Sequence, residues 1–304
     1  MAKKRHSEEY LTDQRLTWWN PDFLDLMVRR WDITGAERIL EVGCGHGHWI
    51  ETLLAHLPNA RYILGVDKEA QWVDIARDRF SYVSAVLHLD IEADFMVGWA
   101  ESLDIESEKF DVVTCQTLLM HVPNPEQVVH EMTRVLKPGG CLICVEPNNL
   151  QNYINTDSVT LDEDIDFRVS QFELWLRYQR GKQLLGEGFN GIGELLVDLF
   201  RTAGLAKIET FLSDKVAVFA PPYDTAARAS FADLENWLNS DTGPFDESEL
   251  RRCVRAGGGS EELIVKGLQD FKDRYRRALA QFKRNEYVCG AGSLNYLCSG
   301  VKTV

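Results

Sequence analysis

The segment Glu41-Val42-Gly43-Cys44-Gly45-His46-Gly47 constrains the fold of this chain more than any other. It follows Arg38-Ile39-Leu40, an apolar run that reads as a short buried strand. It precedes Trp49-Ile50-Glu51-Thr52-Leu53-Leu54, which has helical spacing. A strand, a glycine-rich turn and a helix start present bare backbone N–H groups to a ligand. Glycine at 43, 45 and 47 permits the sharp turn and removes the Cβ atoms that would hold a ligand away.

Spacing narrows the choice of ligand. A dinucleotide fingerprint is G-x-G-x-x-G, and counted from Gly43 its third glycine falls on His48. That register fails. The pattern present is E-x-G-x-G-x-G, and Asp67 ends a second strand-like run, Tyr62-Ile63-Leu64-Gly65-Val66. A carboxylate at the tip of the second strand of such a fold accepts both hydroxyls of an adenosine ribose. This pairing resembles the first motif and the acidic residue of class I S-adenosylmethionine-dependent methyltransferases.

Later segments are similar to the same family in the same order. Val97-Gly98-Trp99-Ala100-Glu101-Ser102-Leu103 matches the loop after its third strand, and Phe110-Asp111-Val112-Val113-Thr114-Cys115-Gln116 its fourth strand. Leu118-Leu119-Met120-His121-Val122-Pro123-Asn124-Pro125 follows. Met132 to Gly140 reads as helix and turn, leading into a fifth strand, Cys141-Leu142-Ile143-Cys144-Val145. The resemblance covers residues 36–149. It implies an α/β fold: a doubly wound, mostly parallel seven-stranded sheet with an antiparallel last strand.

The resemblance also implies roles. The backbone at Gly43, Cys44, Gly45 and Gly47 would pass the methionine moiety and ribose of S-adenosylmethionine, Glu41 would act through loop amides or the amino group, and Asp67 would hold the ribose. Trp99, Ala100 and Glu101 would border adenine, Lys68 would flank it or stand as a plain exposed lysine, and Gln116 and Thr117 would face the methionine end. Trp99 stands where the family commonly has an aspartate, so adenine would rely on stacking and backbone contacts. His121 follows the fourth strand, on the acceptor side, as a candidate general base; the alternative is a histidine bonded to backbone.

Composition restricts the partners. With 33 Lys and Arg against 47 Asp and Glu, the net charge of −14 argues against nucleic acid, since no basic excess is available for phosphates. Lys3-Lys4-Arg5 runs straight into Ser7-Glu8-Glu9-Tyr10, without the apolar stretch of a signal peptide, and no run approaches a membrane span. A cytoplasmic protein is expected. Seven cysteines, an odd number, do not read as a disulfide framework. Cys141 and Cys144 lie three apart in a strand and point to opposite faces, so no metal site is expected there. The acids of His88–Asp94 read as a solvated loop.

Along the chain, 1–35 reads as a helical segment covering the core, with amphipathic spacing from Phe23 to Trp31; Tyr10, Arg15 and Trp18 are candidate wall residues. Residues 36–149 form the cofactor-binding core. Residues 150–190 read as a helical insertion or cap, opened by a Thr160-x-x-Glu163 capping box. Residues 191–220 return to the core, with strand material from Ala206 to Val218. Residues 221–288 are a second helical insertion, its last helix capped at Ser260, and 289–304 hold the last core strand, from Ser293 to Val301. Glu146, Asn148, Asn149, Tyr153, Trp175, Arg177 and Tyr178 are candidates for a substrate pocket, with amphipathic packing as the alternative for the aromatics.

The expected activity is a methyltransferase (EC 2.1.1.-) acting on a small molecule, because the acidic balance and two insertions suit an enclosed pocket. Methylation of a protein side chain and a non-catalytic cofactor-binding role remain open from sequence. The acceptor and the oligomeric state are not encoded in any motif.

Overall fold

The computed structural model describes residues 11–151, 154–240, 247–292 and 294–303. Tyr10 and Tyr153, both named above, lie outside them. The chain divides into two compact units, the first formed by Met1–Pro147, Gly191–Lys215 and Asn295–Val304, the second by Asn148–Asn190 and Val216–Leu294.

The first unit is built on seven strands: β1 (Arg38–Val42), β2 (Tyr62–Asp67), β3 (Glu92–Val97), β4 (Phe110–Gln116), β5 (Leu136–Pro147), β6 (Leu205–Leu212) and β9 (Asn295–Lys302). Their order across the sheet is β3-β2-β1-β4-β5-β9-β6. Strands β1 to β5 pair in parallel, and β9 runs antiparallel to both β5 and β6. The fold is the expected doubly wound α/β sheet with an antiparallel last strand. Helices α1 (Pro21–Arg30), α2 (His48–Leu54), α3 (Ala70–Leu87), α4 (Pro125–Val135) and α6 (Leu196–Thr202) belong to it.

Local chemistry explains these elements. Pro21 sits in the first turn of α1, where its missing N–H costs nothing. Leu24, Met27, Val28 and Trp31 then recur at i, i+3, i+4 and i+7 and join a buried cluster with Ile39, Trp49, Ile63 and Ile143. Trp49 is the largest fully buried side chain, and its indole N–H donates to Thr114 Oγ1 at 2.9 Å. Burying such a side chain contributes about 3 kcal/mol.

Three details of the strands differ from the sequence expectation. Strand β5 already pairs at Leu136, with an irregularity between Phe110 and Val112, so Lys137 to Gly140 are strand and not turn; Gly139 takes φ +79° there. Glu92 and Asp94 are not loop residues but alternate along the edge strand β3, where Asp94 accepts a hydrogen bond from the Tyr62 hydroxyl at 2.9 Å. Charged side chains on an edge strand discourage further pairing. Val218 leaves the main sheet: β7 (Ala217–Phe219) pairs antiparallel with β8 (Cys289–Ala291) in a separate ribbon.

The second unit carries that ribbon and helices α5 (Ile165–Leu184), α7 (Thr225–Ser240), α8 (Glu247–Ala256) and α9 (Glu261–Lys283). Helix α5 is capped by Asp164, whose carboxylate accepts from Phe167 N–H, and not by Thr160. Thr160 is already engaged: its hydroxyl accepts from Asp157 N–H while the Asp157 carboxylate accepts from Thr160 N–H. That reciprocal pair makes a local turn and shifts the helix start. Glu163 is instead held by Arg274 and Arg277 of α9. Ser260 caps α9 as its spacing implied, accepting from Leu263 N–H at 3.1 Å. Trp175 and Tyr178 pack with Trp237 and Phe271 in the core of this unit. Arg177 is turned to Glu173 and to the carbonyl of Gly258.

No helix among the described residues is long and apolar enough to cross a membrane.

Candidate functional site

Every residue proposed to touch the cofactor lies at the C-terminal tips of β1 to β4 or just beyond them. β1 has β2 on one side and β4 on the other, while the chain order runs β1, β2, β3 before returning to β4. The connections therefore diverge beyond the end of β1, which opens a crevice where ligands of open α/β sheets bind.

The glycine turn is shaped from both sides. Gly43, Gly45 and Gly47 all have positive φ, at 71°, 51° and 81°. The N–H groups of Gly43 and Cys44 both donate to the Val66 carbonyl, at 2.7 and 3.0 Å, which ties the turn to the end of β2. A Cβ on Gly43 would stand 2.7 Å from Leu118 Cδ1, and one on Gly45 would stand 3.0 Å from Leu11 Cδ2. Cys44 is buried against Val73, Ala76 and Phe95.

Asp67 meets this turn directly. Its Oδ2 accepts from Gly45 N–H at 2.9 Å, and its Oδ1 accepts from Glu69 N–H at 3.0 Å. The Lys68 N–H adds a third donor, and since two carboxylate oxygens offer about four acceptor positions, one remains for a hydroxyl. Burial raises the Asp67 pKa above the usual carboxylate value, with the Gly45 N–H and the exposed Lys68 opposing the shift. Glu41 is buried one strand away and accepts from Ile50 N–H at 3.1 Å, inside the first turn of α2. Desolvation raises its pKa well above normal, Ile50 N–H opposes this, the Asp67 charge adds to it, and Arg15 offsets it.

The segment before α1 reaches the same place. Arg15 donates to Thr117 Oγ1 at 3.1 Å and lies 5.0 Å above the Trp18 ring. Burial pulls its guanidinium down to about 10, against the attraction of Glu41 and Glu146. Asp13 accepts from Arg79 at 2.8 Å and lies 3.3 Å from His48 Nε2. Burial lowers the His48 pKa to about 4, so at neutral pH its ring is uncharged. His48 thus packs at the start of α2 and ties in the preceding segment.

Past β3, Gly98 N–H donates to the Asp67 carbonyl at 3.0 Å, which sets Trp99 beside the tip of β2. Trp99 is 64% exposed and bridges to Ser102; Ala100 and Glu101 are half-buried. This loop is fixed from α4. Glu131 accepts from Leu103 N–H, and Arg134 donates to the carbonyls of Leu103 and Ile105. Past β4, Gln116 is buried and Thr117 takes φ +52°. A short 3-10 turn, Leu119–His121, follows and leaves His121 exposed. Glu146 is not a pocket liner: it is fully buried, and its carboxylate accepts from the backbone of that turn.

Sequence reasoning gave no role to Asp13, Arg79, Glu131 or Arg134. Each acts on a partner distant in the chain or on a loop carbonyl, which no spacing encodes. Among the described residues, no group of three or more His, Cys, Asp or Glu is arranged to hold a metal ion.

The arrangement fits an adenosyl ligand: a Cβ-free turn for close approach, and an acid with an open acceptor position on the neighbouring strand. Comparison with known proteins agrees. A family model described as a methyltransferase domain matches residues 40–144. The chain is 29% identical over 185 residues to the demethylmenaquinone methyltransferase of Lactococcus lactis, a match covering 60% of this chain and 71% of that enzyme. It is 36% identical over 124 residues to the ubiquinone biosynthesis O-methyltransferase of Xanthomonas oryzae, covering 40% of this chain and 48% of that one, about half its length. Among solved structures, the YcgJ protein of Bacillus subtilis aligns with a TM-score of 0.51 at 18% identity, covering 94% of this chain and 100% of that one. A Bacillus halodurans protein aligns with a TM-score of 0.52 at 19% identity, covering 93% and 100%. These two show the fold. The family model spans the strands that carry the glycine turn and Asp67, and the chain has the fold of class I S-adenosylmethionine-dependent methyltransferases.

Proposed function

We propose that this protein binds S-adenosylmethionine across the tips of β1, β2 and β4 and transfers its methyl group to a small-molecule acceptor (EC 2.1.1.-). The observation that carries the reading is the buried Asp67 carboxylate, fixed at the tip of β2 by Gly45, Lys68 and Glu69 N–H with acceptor capacity left for a hydroxyl. Bound S-adenosylmethionine supplies an electrophilic methyl carbon.

The chain's own contribution is binding and alignment. Asp67 takes the ribose hydroxyls, while Gly43, Cys44, Gly45 and Gly47 let the backbone approach the ribose and methionine portions. Glu41 holds the start of α2 and, through it, the turn. Lys68, Trp99, Ala100 and Glu101 border adenine, the exposed Trp99 ring offering a stacking face in place of a carboxylate. Gln116 and Thr117 face the methionine end. His121, exposed after β4, takes the proton from a hydroxyl or amine acceptor. The acidic net charge of −14 and the quinone-pathway names of the two relatives support a small organic acceptor over nucleic acid. Seven unpaired cysteines suit a reducing compartment, so a cytoplasmic activity is part of the proposal.

Calorimetry tests the cofactor assignment. S-adenosylmethionine and S-adenosylhomocysteine are expected to bind and NAD is not, and Asp67→Asn is expected to weaken S-adenosylhomocysteine about tenfold, or ~1.4 kcal/mol. Binding of NAD alone would sink the reading. With labelled cofactor and a cell extract, label is expected in the low-mass fraction; label confined to polypeptide would replace the small acceptor with a protein. Once an acceptor is known, His121→Ala is expected to slow turnover about a hundredfold, and normal turnover would remove it as the base.

A further inference from the structure

Glu146, near the end of β5, has no solvent exposure, and among the described residues its carboxylate is bonded by backbone N–H groups and the Cys115 thiol and not by a cation. Backbone takes its place. Oε1 accepts from the N–H of Leu118 at 2.8 Å and of Leu119 at 2.7 Å, and Oε2 from that of Met120 at 3.3 Å. Consecutive N–H groups converging on one anion form a concavity of the kind that elsewhere binds phosphate. Here the chain fills it with its own side chain.

The gathered turn borders the crevice. It begins at Thr117, in the left-handed region at φ +52°, and its Leu118 lies over Gly43 closely enough to leave no room for a Cβ there. Thr117 Oγ1 accepts from Arg15, whose charge is felt by both Glu146 and Glu41. Moving Leu118 therefore moves one wall of the glycine turn.

We propose that Glu146 is a positioning residue for the cofactor: its ionised carboxylate draws the Leu118–Met120 backbone down beside Gly43 and so sets the width of the crevice at the methionine end. This rests on the S-adenosylmethionine reading above. The chemistry requires an acceptor-only group. Three N–H donors need lone pairs, and a protonated acid or a glutamine amide would set a donor among them.

Burial raises the Glu146 pKa to about 7, with the three N–H groups and the Cys115 thiol opposing the shift. The titratable groups set against it are Cys115 from β4 at 3.9 Å and Arg15 from the N-terminal segment, whose charge also acts on Glu41 of β1. Tyr296, its strand partner on β9, turns its hydroxyl to Glu194. The Cys115 thiol is itself raised well above normal and stays neutral. As pH falls through 7 the carboxylate takes up a proton, the turn loosens and cofactor affinity falls.

The test is calorimetric titration of the full chain with S-adenosylhomocysteine between pH 6.5 and 8.5. Wild-type affinity is expected to fall about fivefold from the upper to the lower pH. Glu146→Gln is expected to bind about tenfold more weakly at pH 8.5 and to lose the slope, whereas Glu146→Asp, which keeps the charge, retains it. Wild-type affinity and slope in Glu146→Gln would overturn the proposal and leave the cofactor reading intact; no heat from the wild type at any pH would overturn the cofactor reading itself. Should Glu146→Gln fail to fold, hydrogen exchange of the wild type decides. Protection of the Leu118–Met120 amides, corrected for intrinsic rates, is expected to drop between pH 8.5 and 6.5, and unchanged protection would overturn the proposal.

Discussion

In the α/β unit, Gly43, Gly45 and Gly47 all hold positive φ, and they matter for the turn they make and for the cofactor proposed to lie on it. In the helical unit, Gly181 of α5 and Gly267 of α9 have ordinary helical dihedrals and matter for what a side chain would strike. A Cβ on Gly181 would lie 1.7 Å from the Cys253 carbonyl oxygen, and one on Gly267 would lie 2.7 Å from Leu174 Cδ2. The first clash is with backbone and has no soft solution. One residue type thus serves conformation in one unit and close helix crossing in the other. The difference separates binding from stability.

Substitutions can break this contrast. The largest effect is expected from Gly181→Ala, which forces α5 and α8 apart and costs about 3 kcal/mol, read from the urea midpoint, with S-adenosylhomocysteine affinity of the folded protein unchanged. A loss of affinity at constant stability would erase the distinction. Gly45→Ala comes next. A left-handed alanine costs about 1–2 kcal/mol, while calorimetry is expected to show at least a tenfold loss of affinity. Full affinity there would show that the turn tolerates a side chain where the ligand was placed. The smallest effect belongs to the surface of the helical unit. Arg255 and Glu261 pair at 2.7 Å with both side chains more than half exposed, so Arg255→Ala is expected to leave stability nearly unchanged. A larger loss in thermal unfolding would mean that the surface pairs act as a network.

What the sequence made legible was local. The turn at Gly43–Gly47, the α1 stripe from Leu24 to Trp31 and the Ser260 cap each follow from neighbours within a few residues. The illegible parts depend on distant partners. Glu146 read as a pocket acid because nothing near it in sequence announces the three N–H groups of the Leu118–Met120 backbone. Arg134 bonds the loop at Leu103 and Ile105, across a separation that carries no periodic signal. Thr160 misled in the opposite direction: its capping pattern is present, but Asp157 competes for it at shorter range and wins. Val218 read as a continuation of β6, and only the pairing with β8 shows that the strand ends at Leu212.

The placement of β9 between β5 and β6 carries a consequence for biosynthesis. A ribosome delivers β6 long before β9, yet among the described residues β6 has no other neighbour in the main sheet. The strands bearing the glycine turn can zip together as they emerge, whereas β6 waits until the intervening helical segment has been translated. During that interval the unpaired edges of β5 and β6 are open to wrong strands, and chaperone dependence should concentrate there.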